Sequence, residues 1–256
     1  MQRATWTLSA LLGLVCATVP VGLGSGFDTT TTLPRDLQEI RSQIIEIASA
    51  NTTRTDNIPE VRERITPLIL ELARWYADNR PENELAMTQV PWKNLWYDDP
   101  DIGFNVDFGI FTVNLDRTQI YQVVEDGFYY NVSEIDVSIF FIPFQLQSYL
   151  KGAYTVARPA DESNIGEGRL NTVDLEFVAN SFLVQALPRG ADLRGLVEDV
   201  ESGDLSTIPS PGPIGVTGEL WNVYLDDSLR ISIGFDDSAP DVIDVYILER
   251  ATVVTD

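Results

Sequence analysis

Strict alternation of apolar and polar residues restricts this chain more than any other feature, and it is clearest in residues 220–250. Residues 220–225 and 229–234 form two period-two runs joined at Asp226-Asp227-Ser228, and 242–248 is a third β-rich run. A period of two sends successive side chains to opposite faces of a strand, so runs of this kind separated by turn residues read as hairpins. In the second run Leu229, Ile231 and Ile233 share one face, while Ser228, Arg230 and Ser232 share the other.

The same alternation recurs upstream. Residues 92–97, 104–108 (continued by 110–113), 119–124, 129–141, 146–157, 169–177 and 182–187 all read as strands. With the three terminal runs this makes about nine or ten short strands, the spacing of an antiparallel barrel or sandwich. Two helical patterns precede them. In residues 34–50, Leu37, Ile40, Ile44 and Ile47 recur at steps of three and four. A second stripe from Pro59 carries Val61, Ile65, Leu68, Ile69, Leu72 and Ala73, with Pro67 expected to kink or divide it. Residues 188–218 hold a short helix near 192–200 and then a proline- and glycine-rich loop, which reads either as a lid or as a surface excursion.

At 256 residues with 44% hydrophobic side chains, one barrel domain is within reach. The 39 Asp plus Glu against 17 Lys plus Arg leave no cationic footprint for nucleic acid or for anionic lipid. Contact with a membrane or lipid body would therefore be apolar. There is no histidine, and the single cysteine is Cys16, which excludes a Ser-His-Asp triad and leaves the body of the chain without thiol chemistry. Neither a catalytic residue nor a metal ligand set stands out, and no cofactor is indicated. The acid groups Asp98-Asp99-Asp101 and Asp236-Asp237-Asp241 lack the spacing of a calcium loop and read as solvated turns.

Residues 1–26 have the character of a signal peptide: Arg3, an apolar stretch, then small residues. The uncharged run from Ala4 is also long enough for a membrane anchor. Either reading moves the body across a membrane. Residues 27–33 form a linker, and 34–256 the folded domain.

A barrel of about eight strands has room for its own side chains or for one small apolar ligand. Phe108, Tyr130 and Trp221 lie in strand patterns, and periodicity alone does not separate a filled core from a cavity. Arg230 has two readings: if the polar face turns inward it fixes a ligand's oxygen, and otherwise it pairs with Asp226 as a hairpin salt bridge.

The segment Tyr224-Leu225-Asp226-Asp227-Ser228-Leu229-Arg230-Ile231-Ser232, with Gly234 and the later Val245-Tyr246-Ile247-Leu248, resembles the plastid lipid-associated protein family, the fibrillins or plastoglobulins of plastids and cyanobacteria. Ile233 stands where that family usually has a second basic residue, and the acidic loop 235–241 is longer. Pro91-Trp92-Lys93-Asn94-Leu95-Trp96-Tyr97 and Ile120-Tyr121-Gln122-Val123-Val124 are similar to earlier strands of the family. The resemblance implies an α+β fold, an antiparallel lipocalin-like β-barrel with N-terminal helices. It implies non-enzymatic binding of a lipophilic small molecule such as an isoprenoid quinone, a carotenoid or a lipid, near thylakoid membranes or lipid globules. The lumen, the periplasm or the plastid would be its compartment. By position Asp226, Asp227 and Arg230 would be motif residues, and Trp221, Tyr224, Phe108 and Tyr130 the neighbouring ligand contacts. A structural scaffold of membranes or globules, and an enzyme acting on a lipophilic substrate, are the alternative classes.

Overall fold

The computed structural model describes residues 33–51, 57–98, 103–107, 112–125, 127–139, 142–156, 173–209, 214–236 and 243–255. The leader 1–26, Phe108, and Asp99, Asp101, Asp237 and Asp241 of the acid groups lie outside these residues.

Two helices come first, α1 (Arg35–Ala50) and α2 (Ile58–Asp78). Each is amphipathic, and α2 buries Val61, Ile65, Ile69, Leu72 and Tyr76 along one face. Pro67 removes one backbone donor, yet α2 runs through it unbroken. The buried stripe on both sides of Pro67 holds the two halves on one surface, so tertiary packing overrides the expected break. The short α3 (Glu84–Thr88), which alternation did not suggest, leads into β1 (Pro91–Tyr97).

The remaining strands are β2 (Gly103–Asp107), β3 (Thr112–Val124), β4 (Phe128–Ile139), β5 (Ile142–Val156), β6 (Val173–Leu183), β7 (Ile208–Pro209), β8 (Thr217–Leu225), β9 (Leu229–Asp236) and β10 (Ile243–Arg250). Between β6 and β7 lies α4 (Leu193–Ser202), capped by Asp192, whose side chain accepts from the Gly195 N–H, and ended by Gly203 at φ 82°. Two details differ from the sequence reading. Thr112 and Val113 do not extend the preceding strand; they open β3, which pairs antiparallel with β2, Asp107 opposite Thr112. Residues 169–177 and 182–187 are not two strands: β6 is continuous, because β5 supplies partners throughout, with a bulge at Lys151/Gly152.

Every pairing is antiparallel, in the order β1-β10-β9-β8-β6-β5-β4-β3, and β3 pairs back onto β1, so eight strands close into a barrel. β2 extends from β3 and β7 from β6. Both faces of the wall are covered. Leu229, Ile231, Ile233, Val245, Ile247 and Trp96 pack against α1 and α2 on the outside. Tyr121, Val132 and Tyr149 pack against Leu193, Leu196 and Val197 of α4, also outside. None of the described helices is long and apolar enough to cross a membrane.

Ile231 is fully buried where the helix pair meets the wall. Ile231→Ala is expected to cost about 2–5 kcal/mol in urea unfolding. The exposed Ile142, changed to Ala, is expected to shift stability by less than about 0.5 kcal/mol.

Candidate functional site

The face of β9 that carries Arg230 and Ser232 turns inward. Its register puts Arg230 opposite Leu225 and Leu248, while Leu229 and Ile231 take the outer face. The Arg230 side chain crosses the lumen: Nε donates to Asn222 Oδ1 of β8 at 2.8 Å, and Nη1 to Gln122 Oε1 of β3 at 3.1 Å. Arg230 is 2% exposed and has no carboxylate in salt-bridge range among the described residues. Burial pulls its pKa down to about 10, an effect opposed by nearby Tyr129 and Glu84, so it stays charged at neutral pH.

One end of the barrel is stopped by α3. Asn222 Nδ2 donates to Thr88 Oγ1 at 2.8 Å, and Trp92 Nε1 donates to the Thr88 carbonyl at 3.0 Å. Gln89, just past α3, donates to the Tyr154 hydroxyl at 2.9 Å. Glu84, 1% exposed, pairs with Arg80 at 3.3 Å, and Arg80 also donates to the Asn222 carbonyl at 3.4 Å.

The wall also opens in a cleft of about 140 Å³, lined among others by Tyr129, Asn131, Phe177, Leu220, Gly234 and Tyr246. Gly234 sits in close approach: a Cβ there would lie 3.1 Å from Tyr246 Cε2, so the Tyr246 ring would have to give by a few tenths of an ångström. Tyr129, Tyr154 and Leu220 pack together behind it, with Phe177 and Tyr246 against them. Burial pushes the Tyr129 hydroxyl up to about 12, against the opposing effect of Arg230, so it stays protonated. The inner face also holds orphaned polar groups. The Ser232 hydroxyl and both amide atoms of Asn94 are buried with no hydrogen-bond partner among the described residues. Each such group costs about 1–3 kcal/mol if nothing satisfies it.

Beyond the cleft the inner face becomes apolar. Ile135 and Val137 of β4 are buried against Phe144, Leu146 and Phe182. Ile142 and Ile208 continue this surface in register, opposite Ile139 and Phe182, and are 66% and 62% exposed.

The ligand residues suggested by the sequence do not converge. Arg230 faces the lumen. Trp221 and Tyr224 lie opposite Ile233 and Ile231 on the outer face, with the Tyr224 ring 5.7 Å from that of Tyr76 in α2. Tyr130 packs in the outer cluster beneath α4, Asp227 is exposed at the turn, and Phe108 lies outside the described residues. The hairpin salt bridge between Arg230 and Asp226 does not form. The pairing that puts Arg230 inside leaves Asp226, next to Leu225, on the outer side, where Arg41 of α1 takes it at 2.6 Å. Gln122, Asn222, Ser232 and Tyr129 were not singled out from sequence. Gln122 and Asn222 had a signal, each being a lone amide inside an apolar run; Glu84 had none. Asn131 is also on the inner wall. Comparison with protein-family models, with curated proteins and with solved structures returned no match to this chain.

Asp226 accepts from Arg41, from the Tyr224 hydroxyl at 2.8 Å, and from the N–H groups of Ser228 and Leu229 at 2.8 Å each. Burial would raise its pKa, but Arg41 and the two N–H groups outweigh that and hold it below the ordinary carboxylate value. Its stabilisation is therefore complete above the unfolded value of about 3.9 and fades as pH falls through the lower folded value. Asp226→Asn is expected to lose about 1.5–3 kcal/mol at pH 7 and to flatten the acid limb of the stability profile, measured by urea unfolding from pH 7 to pH 2.

Proposed function

We propose that this protein binds or sequesters a lipophilic small molecule, without catalysis, in a lipocalin-like barrel. The observation that carries the reading is a closed barrel stopped at one end by α3, with a cleft in its wall lined by Tyr129, Phe177, Leu220 and Tyr246. Drug-sized pockets run to roughly 300–1,000 Å³. A cleft of about 140 Å³ takes one end of a long molecule and leaves the rest along the apolar surface of Phe144, Phe182 and Ile208. The resemblance of the terminal hairpin to plastid lipid-associated proteins supports the same reading, and with it an isoprenoid quinone, carotenoid or lipid as ligand and a thylakoid or globule setting after transport across a membrane.

Exposed Ile142, Val184 and Ile208, at 66%, 60% and 62%, favour apolar contact with a membrane or lipid-globule surface. They are also the observation that favours a scaffolding role as the second reading. Catalysis on a lipophilic substrate draws less support, although Arg230, Tyr129 and Glu84 come near one another. Burial keeps the Tyr129 hydroxyl protonated, and Glu84 is paired with Arg80.

Protein purified from its native membrane and extracted with organic solvent is expected to yield about one lipophile per chain. Gly234→Ala, which drives Tyr246 into the cleft, is expected to lower that yield. A lipid-free extract, together with tight adsorption to protein-free lipid droplets, would favour the scaffold instead.

A further inference from the structure

Arg230 is a buried cation in a protein of net charge −22, and among the described residues no carboxylate pairs with it. Its two hydrogen bonds among the described residues go to the neutral amides of Asn222 and Gln122. The nearest acid to act on it, Glu84, is bound to Arg80, so two guanidinium groups share one carboxylate at the α3 end. Removing a guanidinium from water without a partner anion costs several kcal/mol. The Ser232 hydroxyl, wholly buried on the same inner face and with no partner among the described residues, stands two residues along β9 from Arg230 toward Gly234 and the cleft.

Resting on the binding role proposed above, we infer that the ligand is a long-chain carboxylic acid, bound with its carboxylate between Arg230 and Ser232. A carboxylate matches the planar guanidinium fork and supplies the one negative charge that is lacking. The hydroxyl of Ser232 donates to the same head group. From Arg230 to Gly234 is four residues of strand, about 13 Å, which the upper hydrocarbon of the ligand spans before it reaches the cleft. Tyr129, Tyr246 and Leu220 line that path and turn aside as the chain enters. The remaining methylenes lie on Phe144, Leu146 and Phe182. Asp244, opposite Gly234 in the register, and Glu219 are the acids of the cleft lining, whose Gly234 lies four residues along β9 from Arg230.

The test compares hexadecanoic acid with hexadecanol, by competition against a fluorescent fatty acid on the delipidated full chain at pH 8. The acid is expected to bind about tenfold tighter than the alcohol. Arg230→Gln is expected to abolish that preference, the acid then binding no tighter than the alcohol, a change in selectivity that a merely structural role for Arg230 does not produce. Equal affinity of acid and alcohol for the unaltered protein, which needs no variant to fold, would overturn the inference and leave lipophile binding standing; so would a preference that survives in Arg230→Gln. Binding of neither, with lipid-free extracts from the native membrane, would remove the binding role itself.

Discussion

The closure of the sheet rests on a short seam. β1 and β3 meet through Pro91 opposite Val123, Trp92 opposite Gln122 and Lys93 opposite Tyr121. Without it the strands would form an open curved sheet with two edges, each a row of unpaired backbone groups. With it, each side chain on the ring is committed to the lumen or to the outside. Gln122 belongs to the seam itself, so the residue that helps close the barrel also receives the Arg230 guanidinium.

That commitment explains how α1 and α2 are held. Their apolar stripes have the outer faces of β8, β9, β10 and β1 to cover, and the Arg41–Asp226 pair fixes α1 against the β8–β9 turn. On the far side of the seam, α4 and the chain end do the same for β3, β4 and β5, where the Tyr121 hydroxyl donates to the Thr255 carbonyl at 3.0 Å. Both faces of the wall are therefore dry over most of the ring. Such a wall carries polar groups inward at a cost unless they meet a partner, as Arg230, Asn222 and Gln122 do one another.

Much of this was legible from alternation. The terminal hairpin, the two N-terminal helices and the antiparallel, barrel-scale strand count follow from periodicity, because a buried face must repeat at the period of its element. What periodicity does not carry is which face turns inward. Leu229-Arg230-Ile231-Ser232 reads equally well with its apolar side in or out, and the answer depends on helices almost two hundred residues upstream. The salt bridge expected between Arg230 and Asp226 failed for this reason: both are polar and close in sequence, but the wall separates them. Glu84 was illegible because a five-residue helix has too few positions to show a stripe.

The pairing of β1 with β10 has a consequence for how the molecule is made. Trp92 lies opposite Arg250, so the first strand of the ring waits for the last. Contacts between residues this far apart form slowly, because the chain must close a long loop before any pairing repays it. A ribosome that has not yet released residue 250 holds a row of strands with an unsealed edge.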